Sequence, residues 1–271
     1  MSRTRTRLPP WTSAGRLRRW PAAASWSPGW SLRELELRWL PASPGVLALV
    51  EAEVRTPSSR LVTLRRTKGL GALATWRRGG LDFAPAERAV IDASRELTSL
   101  QDIRGVVLGA VADGWADVAD LRRVLDATQR NGSGRARRAV VDAERGCASP
   151  PEAELVDALI GCGRPFYVNP ALLVNGRLLG SPDVWLPGLG LGGEVESKER
   201  HGSDEDTEST YDRHERMTSP GIELVHLSVR RIRRDVNEAA RHLLDRADVR
   251  SRLVRPEPAG LVVVPRGPLL R

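Results

Sequence analysis

The run Leu191-Gly192-Gly193-Glu194-Val195-Glu196-Ser197-Lys198, with Pro182-Asp183 before it and His201 just after, decides how this chain is read. Side chains alternate along a strand, so residues two apart share a face. A strand over 191–198 therefore points Glu194, Glu196 and Lys198 the same way. Asp183 stands about ten residues upstream, behind the turn-forming Pro187-Gly188, on what becomes the neighbouring strand. Two paired strands then gather two or three carboxylates and an amine. Clustered carboxylates suit a hard divalent cation such as Mg²⁺, which takes oxygen ligands and keeps some waters. A metal-bound water beside a second acid or an amine is the equipment for phosphodiester hydrolysis.

Working outward, Ser149-Pro150 predicts a helix start, with serine as N-cap and Glu152 near the positive end of the helix dipole. Leu155, Val156 and Leu159 would bury that helix against the sheet. Asn175-Gly176 predicts a tight hairpin between Ala171–Val174 and Arg177–Gly180. Strands follow around 183–186 and 191–197. After the acidic stretch 203–208 come a helix to about Met217, a strand over Ile222–Leu227 and a helix over Ile232–Leu244. The order helix, strands, helix, strand, helix describes a mixed α/β sandwich.

Residues 149–245 resemble the PD-(D/E)xK, restriction-endonuclease-like family. Within it they are similar to actinobacterial proteins related to very-short-patch repair endonucleases and to the C-terminal part of AbiE-type antitoxins. The likeness is carried by Ser149-Pro150-Pro151-Glu152, Pro182-Asp183, Glu194-Val195-Glu196-Ser197 and His201, with Arg213 in a following helix and Val225-His226 in a late core strand. It implies a pocket of Glu152, Asp183, Glu194, Glu196 and His201 in which Asp183 and Glu194 are the ligands of Mg²⁺ or Mn²⁺, a DNA substrate, and a role in phage defence or beside a toxin partner. The literal Glu196-Ser197-Lys198 also reads as E-x-K, so the motif threads in two registers; the register with Glu194 is preferred. The fold the likeness implies is α/β: an N-terminal arm and a small helical subdomain, then a restriction-endonuclease-like mixed sheet flanked by helices.

The chain has 271 residues, enough for one large or two ordinary domains, and carries a net charge of +8. The positive charge is nearly all arginine, because Lys68 and Lys198 are the only lysines. A GC-rich coding sequence explains that bias, and net basicity still favours a polyanionic partner through counterion release. Cys147 and Cys162 are too few for a disulfide framework, which points to a reducing cytoplasm. No apolar run has the length of a membrane span or forms a signal-peptide core, so no membrane association is expected.

Composition divides the chain into 1–60, 61–146, 147–248 and a C-terminal tail, 249–271. The first segment is irregular and rich in Arg, Trp and Pro, holding Trp11, Trp20, Trp26, Trp30 and Trp39. It reads as a divergent DNA-binding module, a disordered basic arm, or the product of a misassigned start. Leu61–Leu64 is a strand candidate. Helices are predicted over 85–96, 99–112, 117–128 and 134–145, with Pro85 at a first turn. Asn131-Gly132-Ser133-Gly134 is a loop rather than a phosphate cradle, because no strand precedes it and no G-K-[ST] follows.

Each candidate also has a bland role. Glu152 can simply complement its helix dipole, Asp183 can accept from backbone donors, and His201 can be an exposed loop residue. Arg213 can neutralise Glu194 and Glu196 without a cation, and His226 can sit hydrogen-bonded at the pocket edge. Three functions are carried forward: a metal-dependent DNA endonuclease; a DNA-binding antitoxin or transcriptional regulator whose nuclease-like domain is inactive; and a defective relative.

Overall fold

In the computed structural model of this chain, the structure describes residues 25–26, 46–59, 62–68, 70, 75–78, 81–128, 131–196, 215–218, 220–253 and 257–271. The protein is mixed α/β. Among the described residues there are three sheets and two groups of helices.

The first sheet comprises β1 (Ser25–Trp26), β2 (Val46–Glu51), β3 (Val62–Thr67), β4 (Trp76–Arg78) and β5 (Leu81–Phe83), in the order β3-β2-β1-β5-β4. β2 and β3 pair in parallel from Val46↔Val62 to Glu51↔Thr67. The irregular reading of residues 1–60 therefore omits strands β1 and β2. The run 46–50 lacks polar alternation because Ala48, Leu49 and Val50 are all buried, and such runs carry no period-2 signal. Trp76 stacks on Phe83 at 4.5 Å between ring centroids, closing the β4–β5 end.

Four helices follow: α1 (Ala86–Glu96), α2 (Leu100–Ala112), α3 (Val118–Ala127) and α4 (Gly134–Glu144). Pro85 stands one residue earlier than predicted, as the N-cap of α1. Ser99 caps α2 by accepting from the Asp102 N–H. α5 (Pro150–Leu159) starts on its predicted serine, with prolines in the first turn, where their missing N–H costs nothing.

The second sheet has the order β11-β10-β9-β6, built from β6 (Tyr167–Val168), β9 (Val184–Leu186), β10 (Leu191–Glu196) and β11 (Glu223–Ser228). β6 and β10 run antiparallel to β9, whereas β11 runs parallel to β10. The third sheet, β12-β7-β8, holds the predicted hairpin of β7 (Ala171–Val174) and β8 (Arg177–Gly180). Its turn residues Asn175 and Gly176 have φ of 51° and 75°, the left-handed values that a two-residue hairpin loop requires. Strand β12 (Leu261–Val264) lies in what read as a tail. It pairs with β7 from Leu261↔Val174 to Val264↔Ala171, and Leu270 bridges to Phe166.

The helix predicted over 232–244 is two helices, α6 (Val229–Arg234) and α7 (Val236–Arg250). Asp235 separates them with extended backbone, and its carboxylate accepts from the Glu238 N–H to cap α7. An aspartate that satisfies a helix start stops the preceding helix.

One hydrophobic core runs through both halves, from Val90, Ile103 and Leu108 through Leu155 and Val156 to Leu227 and Leu243. A satellite core of Leu172, Leu179, Trp185, Met217 and Ile222 joins the second and third sheets. Across the main core runs an ion network. Arg104 of α2 donates from Nε to Asp142 of α4 at 2.9 Å and from Nη2 to Asp157 of α5. Arg138 and Arg145 complete it on the same two carboxylates.

Two predictions arise from this packing. A Cβ at Gly267 would lie 2.4 Å from the Arg145 carbonyl oxygen, and backbone cannot yield as a side chain can. Gly267→Ala should therefore cost about 1–3 kcal/mol, read as a lowered denaturant midpoint with an unchanged slope. Cys147 is buried, and its thiol is pushed far up by burial first, then by the Glu152 and Asp142 charges. Thiol alkylation of the native protein near pH ~8.5 should label Cys162, which is partly exposed, and spare Cys147 until the chain unfolds. Mass spectrometry of the labelled protein checks this.

Candidate functional site

The site forms where β9 and β10 part company. Their last ladder pair is Gly193↔Val184, so the next cross-strand position sets Glu194 opposite Asp183. Pro182, the residue after that, has no N–H to give. The Asp183 carboxylate takes over, accepting the Val195 N–H on Oδ2 at 2.6 Å, while its own carbonyl accepts the Asn169 N–H at 3.1 Å.

Alternation from Trp185 and Gly192 puts Asp183, Glu194 and Glu196 on one face of the sheet, the face shared with the satellite core. Asp183 and Glu194 are buried, at 9% and 5% exposure, whereas Glu196 lies at the open end of its strand. Gly192 and Gly193 explain how β10 fits between its neighbours. A Cβ on Gly192 would meet Leu224 at 2.8 Å and Pro182 at 3.0 Å, and one on Gly193 would meet Leu243 of α7 at 3.2 Å. The two glycines let the sheet close from both sides and hold the acidic strand rigidly.

β11 supplies His226, which the sequence reading placed either facing the acidic pocket or at its edge. His226 is the register partner of Glu194, and its Nδ1 lies 2.7 Å from Oε1 of Glu196, the diagonal neighbour on the same face. The repulsion expected between Glu194 and Glu196 is thus met partly by an imidazole. With Nδ1–H donating to the carboxylate, the tautomer assigned from this geometry leaves Nε2 as the basic nitrogen.

Glu152 sits differently. It is buried, and its carboxylate accepts from Ser149 Oγ at 2.7 Å, the Ala148 N–H at 2.8 Å and Asn169 Nδ2 at 2.8 Å. With the Glu152 N–H facing Ser149 Oγ, these bonds resemble a capping box shifted to the Ala148 N–H, and they lock the start of α5. Asn169 also donates to the Gly146 carbonyl and, through its backbone, to Asp183. Glu152 therefore supports the strand entrance that positions Asp183, with its own oxygens already engaged.

His201, Ser197, Lys198, Arg213 and His214 lie outside the described residues. Among the described residues, no group of three or more His, Cys, Asp or Glu side chains is arranged to hold a metal. Asp183 and Glu194, set opposite each other by the strand register, offer hard carboxylate oxygens of the kind that Mg²⁺ takes from a protein when water and substrate phosphate complete its shell. The residues present thus fit that ion.

No family model, curated protein or solved structure matches this chain significantly. No described helix is long and apolar enough to cross a membrane.

Proposed function

We propose that this protein is a metal-dependent, endonuclease-like protein that hydrolyses phosphodiester bonds in DNA. The observation that carries this reading is the pair of buried carboxylates, Asp183 and Glu194, opposed on adjacent strands with Glu196–His226 one step further out. The sheet around them also supports it. A helix, three antiparallel strands and a crossover to a parallel fourth strand follow the order that the resemblance to PD-(D/E)xK proteins calls for.

In this reading Asp183 and Glu194 hold Mg²⁺ or Mn²⁺, which supplies a polarised phosphoryl oxygen and a water of lowered pKa. The chain does the rest. The Val195 N–H fixes the Asp183 carboxylate, the glycine pair fixes β10, and Glu196 holds the His226 ring in one tautomer beside the carboxylates, as a proton acceptor for water. His201, which the resemblance places in the same pocket, remains a second candidate for that task. A reducing cytoplasm is the compartment that suits two free cysteines.

A second reading is favoured by the capping role of Glu152 and the backbone duty of Asp183. Both give the acids structural reasons to exist. The chain would then be a DNA-binding antitoxin or transcriptional regulator with a toxin partner, keeping the nuclease-like sheet as a scaffold. Calorimetric titration of the full chain with Mn²⁺ and Mg²⁺, followed by plasmid cleavage, separates the two. Metal binding with cleavage supports the endonuclease; sequence-specific DNA binding without either supports the regulator.

A further inference from the structure

β10 and β11 run parallel and in register to Glu196↔Ser228, so both strands end level with the Glu196–His226 pair. Ser228 is also the N-cap of α6, accepting the Arg231 N–H at 3.2 Å, and α6 therefore begins directly at the mouth of the acidic site. Its sequence is Val229-Arg230-Arg231-Ile232-Arg233-Arg234. Ile232, 2% exposed, pins the helix to the core and sets its rotation. At helical spacing, the positions opposite Ile232 are Arg230 and Arg234, neighbours about 6 Å apart, with Arg233 on the flank.

These arginines differ in how they are satisfied. Arg231 is held by both oxygens of Glu238, at 3.0 and 2.5 Å. Arg234 approaches only the same, already occupied carboxylate, at 3.6 Å. Arg230 is exposed and makes no ion pair among the described residues, whereas Arg233, also exposed, lines a pocket with Asp102 and Glu154 and acts electrostatically on the Glu154 carboxylate. The helix thus carries surplus positive charge on its outward side, immediately beside a cluster of carboxylates that would otherwise repel a polyanion.

We propose that α6 is the phosphate-binding wall of this site, and that Arg230 and Arg234 grip the backbone of duplex DNA. This rests on the endonuclease-like reading for what the wall serves. Guanidinium groups bind phosphate oxygens in a bidentate manner, and two of them one helical turn apart can take successive phosphates of one strand. The composition of α6 selects the duplex. It has no aromatic side chain on which single-stranded bases could stack, and no large hydrophobic side chain exposed for insertion into a lipid surface.

Fluorescence anisotropy of the full chain with a labelled DNA duplex, across a salt series, tests this. The comparison is wild type, Arg230→Gln/Arg234→Gln, and a charge-matched control, Arg177→Gln/Arg252→Gln, whose sites are exposed on β8 and beyond α7. The α6 double variant should bind about tenfold or more weakly, with the log–log salt slope reduced by about 1.8, or 0.9 per lost phosphate contact. The control should bind as wild type. An unchanged slope in the α6 variant, an equal loss in the control, absence of duplex binding by wild type, or tighter capture of RNA or anionic vesicles each overturns the proposal. If Asp183→Asn leaves metal binding unchanged while the α6 variant loses DNA, the metal-site reading falls and the wall stands.

Discussion

Asp183→Asn should abolish Mn²⁺ binding in calorimetry and lower plasmid cleavage about a thousandfold, while leaving the thermal midpoint within a degree or two of wild type. Asparagine keeps the shape and an acceptor oxygen for the Val195 N–H, which Asp183 binds at 2.6 Å. Only the charge is lost. A hard cation held by two carboxylates loses half its anionic ligands, and its electrostatic contribution to phosphoryl transfer is worth several kcal/mol, hence the thousandfold figure. Asp183→Ala is the poorer probe because it also strands a backbone N–H, at about 1–3 kcal/mol of stability. Wild type that takes up no metal, or Asp183→Asn that cleaves as well as wild type, would sink the metal-dependent reading and turn attention to the regulator.

Arg104→Met should destabilise the fold by about 3–5 kcal/mol, measured by urea unfolding, because it removes the nearest partner of a buried carboxylate and leaves Asp142 only Arg138 and Arg145, at 3.5 and 3.4 Å. Arg104 is 2% exposed and Asp142 fully buried, with Nε and Oδ2 2.9 Å apart. Burial would lower the Arg104 pKa, but its bonds to Asp157 and Asp142 outweigh that and hold it above its ordinary value. Burial pushes the Asp142 carboxyl up against the pull of Arg104, so losing the arginine raises it further. The sign of the pH dependence follows. The folded state of the variant binds a proton at Asp142 more tightly than the unfolded chain does, so its deficit is largest above the raised pKa. The deficit shrinks as pH falls through that pKa, where Asp142 takes its proton in the folded state. Arg104→Met/Asp142→Leu should recover much of the loss, since an apolar replacement of a buried pair is often near neutral. A single variant as stable as wild type at neutral pH would show the network to be dispensable.

Short-range chemistry explains which features could be read ahead of the structure. The Ser149-Pro150 start of α5, the Asn175-Gly176 hairpin, the four helices before it and the shared face of Glu194 and Glu196 each depend on residues within about one turn or one strand of each other. The backbone's own preferences write these into neighbouring positions. Asp235 shows the limit even there: its neighbours carry no glycine or proline to break a helix and read as continuous with one, and its capping bond to the Glu238 N–H makes two.

Tertiary contact settled the remainder. β12 returns more than eighty residues downstream to cover β7, Arg104 finds Asp142 and Asp157 across three helices, and His226 meets Glu196 only because β11 crosses over to run parallel to β10. Nothing local distinguishes His226 from a core histidine or Arg104 from a solvated one. Their partners lie 30 to 53 residues away, and such pairs are selected by the packing of whole elements around the shared core. Charge type and face were therefore present in the chain from the start, whereas which charges meet depended on how its helices and strands could be buried together.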